Sequence, residues 1–440
     1  MEWAHDSPSL SHPAAHQGFA KPGLSPALRA AAGVPAVVCL FLWVLVRAPT
    51  LPAQDWPCWL GPGRNGTVSG FDAPADWPDS LTENWHRKIG LGESTPALVG
   101  DRLYVFAREE NEEVILALNA RDGAPLWRHS YPAVAVTGPA EPYPGPRSSP
   151  AVAGGKVIAL GVGGVVTCLD AARGELVWRR DDFTNALPRF FTSASPLVAE
   201  GLCILHLGGP GEGCVVALAL DTGRSRWTWP GEGPAYASAV LLTLADSKQV
   251  VLLTEKSLVG LDFCTGRLLW RIPTPLKPGY WNSATPLVEG QTVYYTGQGT
   301  GTRAIRVEAT GEGVAVRELW HNDRLGTVYN TPVVWKGRLF GLSDRGQYFC
   351  LDARTGKTMW VSTNRVSNFG TLLRTGNLLV SLTEKAGLVC IKPSRERFEE
   401  EARFSVGDPP FYAFPLLSGN RIFIRNRHSL TLWTVKSDSF

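Results

Sequence analysis

One phrase is written repeatedly along this chain: Ser-x-Pro, a short apolar run, then Leu-Asp-x-x-x-Gly-x-x-x-Trp. One copy runs from Ser149-Pro150 through Leu169-Asp170 and Gly174 to Trp178, another from Thr331-Pro332 through Leu351-Asp352 and Gly356 to Trp360. A unit of this size cannot bury its own apolar face. The copies must therefore stack, and the array rather than the copy is what folds. Function is then to be sought where the copies converge.

Aligned on the Ser/Thr-Pro start and the closing Trp, the units begin near Ser94, Ser148, Ala194, Tyr236, Ser283, Asn330, Phe369 and Tyr412. The first six end at Trp127, Trp178, Trp227, Trp270, Trp320 and Trp360. The seventh ends around Phe404, and the eighth stops at Val435 with too little chain for a last strand. A matching strand lies at the other end of the protein, where Thr82–Lys88 carries Trp85 followed by basic residues, as Trp178 is followed by Arg179-Arg180. A spacing of roughly 40 to 50 residues is what a four-stranded propeller blade needs. The expectation is an all-β, eight-bladed β-propeller over residues 81–440, its ring closed by an N-terminal strand, with residues 54–80 as a lead-in.

Within a blade, β-branched runs such as Lys156–Leu160 and Val165–Leu169 flank a glycine-rich hairpin. Asp170 and Gly174 bracket the next turn, the Asp bonding nearby amides and the Gly supplying a positive φ. The same pair is expected at Asp221/Gly223, Asp262/Gly266 and Asp352/Gly356, with Asn119/Gly123 in the first unit. Because they recur around the ring, Asp170, Gly174, Trp178, Asp352, Gly356 and Trp360 read as architecture, the Trp residues wedging between neighbouring blades.

Charge is nearly balanced, with 43 Lys plus Arg against 40 Asp plus Glu. No long basic run appears, which argues against nucleic acid as a partner. Residues Ala30 to Val46 carry no charge, follow Lys21 and Arg29, and precede a small-residue step at Leu51-Pro52-Ala53. Residues 1–53 are thus read as a signal peptide or an N-terminal anchor that could tether the chain to a membrane. The protein is expected to be exported, periplasmic or envelope-associated, and monomeric. Seven of the eight Cys follow this leader. Cys168, Cys350 and Cys390 hold one blade position and read as buried fillers, while Cys203 and Cys214 flank a hairpin loop and could face each other across strands.

The stretch Leu351-Asp352-Ala353-Arg354-Thr355-Gly356-Lys357-Thr358-Met359-Trp360 resembles the pyrroloquinoline-quinone (PQQ) repeat. That family includes PQQ-dependent alcohol dehydrogenases and the β-propeller assembly factor BamB. The opening Asp55-Trp56-Pro57-Cys58-Trp59-Leu60-Gly61-Pro62-Gly63-Arg64-Asn65-Gly66 is similar to the start of exported PQQ-like propellers of planctomycete-type bacteria. The resemblance spans residues 54 to 440 and implies the fold far more specifically than an activity. It implies three roles: a non-catalytic binding or scaffold protein of the envelope, a PQQ-dependent oxidoreductase, or a BamB-like outer-membrane assembly factor.

An enzyme of that family would need calcium-binding carboxylates and amides, an Asp base and commonly an adjacent Cys-Cys disulfide. The chain has no Cys-Cys pair and none of the long insertions that carry such sites. It likewise lacks His-x-x-x-His, Cys-x-x-Cys and Gly-x-Ser-x-Gly. No catalytic or metal-ligating residue is assigned. No cofactor is expected, PQQ with calcium being the one to test. Residues just before each innermost strand should converge on one mouth of the channel. Arg147, Arg189, Phe190, Trp281, Asn282, Tyr329, Asn330, Asn368 and Tyr412, with Tyr236, Tyr280, Phe369 and Phe411 beside them, are the candidate lining for a planar or sugar-like ligand.

Overall fold

The computed structural model describes residues 54–435 apart from 246, 312, 368 and 386. The leader read as a signal or tether and the candidate Asn368 lie outside the described residues. Among those described, the strands form eight sheets arranged as the repeats require. The second blade is typical: Ala151–Ala153, Lys156–Leu160, Val166–Asp170 and Leu176–Arg180 pair antiparallel in that order. The eighth blade takes Leu416–Ser418, Arg421–Arg425 and Ser429–Thr434 from the C-terminal end and Thr82–Lys88 as its outermost strand. The ring is closed by the strand expected to close it.

Each repeat residue has a mechanical role. Asp170, Asp262 and Asp352 accept amide hydrogens two and three residues ahead. Gly174 follows at φ 73°. The corner so formed receives the Trp of the preceding blade. Trp127 Nε1 donates to Ala171 O at 3.0 Å, Trp178 to Leu220 O at 2.8 Å, Trp227 to Phe263 O at 3.0 Å and Trp320 to Ala353 O at 2.9 Å. Trp85 docks on Ala120 O at 3.3 Å, across the closing seam. A Cβ on Gly174 would stand 2.5 Å from the Trp127 ring, so the ring needs a glycine beneath it.

Two expectations are corrected, and a third residue meets its role by another hydrogen bond. Asp221 does not open its turn: Gly223 N returns to Ala219 O, so Ala219 holds the place of Asp170, and Asp221 sits inside the turn and pairs with Lys156 Nζ at 2.7 Å. Trp270 packs with Val293, Tyr295, Ile305 and Val307 of the fifth blade, as a wedge should, but its indole donates to no corner there. The fifth blade joins its outer strands, Gly301–Thr310 and Gly313–Asn322, by a hairpin without the Asp corner, and the Trp270 indole turns to Gln249 Oε1 at 2.6 Å. Cys203 and Cys214 do not face each other, because the register sets Cys203 opposite Leu218 and Cys214 opposite Leu207. Both thiols are free.

The Ser/Thr-Pro start also acquires a reason. Each hydroxyl accepts the backbone amide of the blade before it: Thr95 N to Ser149 Oγ, Ser149 N to Ser195 Oγ, Ser195 N to Ser238 Oγ, Ser238 N to Thr285 Oγ1 and Thr285 N to Thr331 Oγ1, all at 2.8–3.1 Å. Phe414 N to Thr95 Oγ1 at 2.9 Å completes the seam. This buried belt ties six blade junctions around the channel. At the other two, Thr371 bonds Leu382 of its own blade and Phe414 has no hydroxyl to offer.

The lead-in fills the channel. Trp56 bridges to Leu98 in the first blade, Pro57 O accepts Val152 N in the second, and Arg64 donates to Pro196 O and Ala239 O in the third and fourth. Thr67–Val68 then pairs in parallel with Leu373–Thr375, the innermost strand of the seventh, and Phe71 bridges to Gly419 in the eighth. Trp56, Leu60, Arg64 and Val68 are buried there.

Candidate functional site

The loops that lead from each outermost strand to the next innermost strand all cross one end of the channel. Their side chains enclose a cup of about 370 Å³. Trp59, at the turn of the lead-in segment, lines it from below. Its indole donates to Thr285 Oγ1 of the belt at 3.0 Å and meets Phe414 edge to face at 5.0 Å. The channel is therefore stopped beneath the mouth, and the site is blind.

Nearly half of the residues in the wall carry aromatic rings. On one side Phe190 meets Trp281 at 4.9 Å and Tyr236 at 5.7 Å, both edge to face. On the other, Tyr329, Phe369, Tyr412 and Tyr143 follow one another at 5.0–6.0 Å. Tyr329 stands 55% exposed at the rim. Burial raises the Tyr412 hydroxyl far above its ordinary range, with Tyr143 and the Glu384 carboxylate, which Tyr412 meets at 3.1 Å, adding to it.

The polar corner is built by the first, second and eighth blades. Glu93 lines the cup with its side chain only 7% exposed, and Arg427 Nε lies 3.3 Å from its carboxylate. Burial raises the Glu93 carboxyl, and the guanidiniums of Arg147, Arg425 and Arg427 pull it back. Arg425 is wholly buried, one nitrogen donating to Ser94 O, Ser94 Oγ and Phe106 O at 2.6–2.8 Å. Arg147 Nη2 donates to Phe190 O at 2.6 Å, pinning the aromatic loop, while Nη1 makes only an exposed 3.4 Å contact with Tyr143 O.

Of the candidate residues, Arg147, Phe190, Trp281, Tyr329, Asn330 and Tyr412 line the cup, as do Tyr236 and Phe369. Arg189 lies above it, its guanidinium 5.8 Å from the Phe190 ring and 5.9 Å from Trp281. Asn282 does not join them: its amide is turned inward to Thr254 O and Thr274 Oγ1. Asn330 borders the cup, but both ends of its amide are spent on the Leu342 backbone. Phe411 is buried. Sequence reasoning missed Trp59 and Glu93. Glu93 precedes a Ser/Thr-Pro start and so lies where the positional rule looks. Nothing local marks Trp59.

Residues 64–241 and 111–362 match the family model described as outer membrane protein assembly factor BamB. The chain is 26% identical over 244 residues to BamB of Shewanella oneidensis, a match covering 52% of this chain and 60% of that protein, so it spans less than two thirds of that relative's length. It is 25% identical over 341 residues to BamB of Burkholderia pseudomallei, covering 75% and 81%. Among solved structures it is similar to BamB from Moraxella catarrhalis, with TM-score 0.60 and 14% identity over 82% of this chain and 99% of that one. It is similar also to quinohemoprotein alcohol dehydrogenase from Comamonas testosteroni, with TM-score 0.64 and 15% identity over 88% and 81%. At these identities the structures speak to the fold.

The cup's residues do not fit a calcium–quinone pair. Calcium takes six to eight oxygens, mostly from carboxylates and carbonyls. Among the described residues no three His, Cys, Asp or Glu are grouped to hold a metal. The Glu93 carboxylate is already faced by three guanidiniums, surroundings that repel a cation.

Proposed function

Because the chain belongs to the PQQ-repeat family described as outer membrane protein assembly factor BamB, we propose that it is an exported, non-catalytic binding propeller of the cell envelope. Its ligand sits in the aromatic cup. The observation that carries this reading is the blind site itself: a segment outside the repeats stops the channel with Trp59 and leaves a ring-lined recess above it. Eight blades hold that recess rigidly, so a ligand is bound with little ordering cost. The names of the relatives and the export-like leader support the envelope as its place. Tryptophan emission of the purified protein titrated with PQQ, with and without calcium, tests the reading. No change is expected up to about 100 μM, equivalent to ~5.5 kcal/mol of binding. Saturable, calcium-dependent quenching with dye-linked alcohol oxidation would overturn it in favour of an oxidoreductase.

The family description favours a second reading, an assembly factor whose partner is an envelope protein. Cross-linking in intact envelopes separates the two, since that role requires capture of a β-barrel assembly component.

A further inference from the structure

The cup's own wall carries one guanidinium, Arg147, and one carboxylate, Glu93, but the polar corner behind it holds more positive than negative charge. Arg147, Arg425 and Arg427 surround Glu93, and Arg147 with Arg108 also faces the buried Glu113. Four guanidiniums therefore stand against two carboxylates. Glu113 is already occupied by the Tyr131 hydroxyl and Val162 N, both at 2.7 Å, and Glu384 across the cup by Tyr412 and Ser367. Buried nitrogens of Arg147 and Arg425 are left without hydrogen-bond partners, while Arg427 Nε is spent on the ion pair with Glu93, whose oxygens have no other hydrogen-bond partner. Uncompensated positive charge in a weakly polar wall attracts an anion much more strongly than it would in water. Arg147 offers the point of attachment: it lines the cup, and its Nη1 is the nitrogen left nearly free on the exposed side.

The rest of the recess limits what carries that anion. Neighbouring rings meet at 74–90° along the Trp281–Phe190–Tyr236 wall and around Tyr412, so their faces point in several directions. A puckered ring with C–H bonds on both faces suits such a collar better than a rigid flat one. The hydroxyl side chains Ser193, Ser283 and Thr371 and the Glu93 carboxylate line the same recess. We propose that the cup selects an acidic sugar, a pyranose-sized ring whose carboxylate, sulfate or phosphate is seated at Arg147. This rests on the cup being a ligand site and adds the chemical class of the ligand.

The test titrates the full-length protein with glucuronate, glucose 6-sulfate, glucose 6-phosphate and glucose by calorimetry, and repeats it with Arg147→Gln and Glu93→Gln. At least one acidic sugar should bind about tenfold or more tightly than glucose, the range of one charge-assisted hydrogen bond. The three acids identify which anion is preferred. Arg147→Gln should abolish the preference. Glu93→Gln, which enlarges the positive surplus, should increase it. Opposite responses of the two variants cannot come from a merely loosened cup. Equal binding of glucose, weakening by both variants alike, or no binding of any of the four would overturn the proposal. Those outcomes leave the binding reading standing, whereas calcium-dependent PQQ binding removes both.

Discussion

Changing Gly174 to Ala tests how the blades are latched together. Gly174 has φ 73°, and a Cβ there would meet the Trp127 ring at 2.5 Å. The left-handed conformation alone costs a non-glycine residue about 1–2 kcal/mol, partly offset by a stiffer unfolded chain. Overpacking against a ring that is hydrogen-bonded to Ala171 O adds about 1–3 kcal/mol. Gly201 is the internal control. Its φ is 75°, yet a Cβ there meets nothing within 4 Å, so Gly201→Ala carries the backbone strain without the clash. Urea unfolding followed by fluorescence and far-UV circular dichroism, required to coincide, should place Gly174→Ala about 1–3 kcal/mol below Gly201→Ala. In the Trp127→Ala background that excess should vanish, a coupling visible in a double-mutant cycle. Equal losses at the two glycines, or an excess that survives removal of Trp127, would refute the latch.

Ser195→Ala strands the buried Ser149 amide and should cost about 1–3 kcal/mol, with Ser195→Thr recovering most of it because the hydroxyl returns to the belt; thermal denaturation reads both. His206 is buried and bonded to Glu232 O at 3.0 Å, and burial lowers its pKa to about 4. The unfolded chain therefore binds the extra proton first, so stability should fall by about 3 kcal/mol as pH drops from 6.5 to 4, a slope that His206→Gln should remove. Among the described thiols, exposed Cys264 should react with a thiol reagent in the native protein. Buried Cys168, Cys203, Cys350 and Cys390, whose thiols burial pushes up to about 12 or beyond, should react only after unfolding.

The misreadings share a cause with the successes. Asp170 and Asp352 could be read because a turn is made by residues four apart, and the spacing is visible. Asp221 lies two residues before its glycine rather than four, a difference in spacing that puts Ala219 in the turn-opening place. The expected pairing of Cys203 with Cys214 failed on register, which depends on hairpin length and not on cysteine position. Asn282 and Asn330 occupy the positions that line a channel mouth, yet each turned to a backbone group elsewhere in an adjoining blade, Thr254 O and Leu342 O, and a buried amide goes where its hydrogen bonds are met.

The sequence by itself determined the all-β ring, the number of blades, the strand that closes it and the repeated corner into which most of the blade-closing tryptophans dock. These follow from local turn chemistry and from apolar faces that only a neighbouring copy can cover. Tertiary structure alone decided that the lead-in enters the channel, that Trp59 stops it, and that Glu93 and three arginines gather at its mouth. Residue 59 reaches residues 285 and 414, and residue 425 reaches residue 94, only once the ring has closed. Periodicity carries no trace of such contacts, because they belong to single residues that the repeat does not copy.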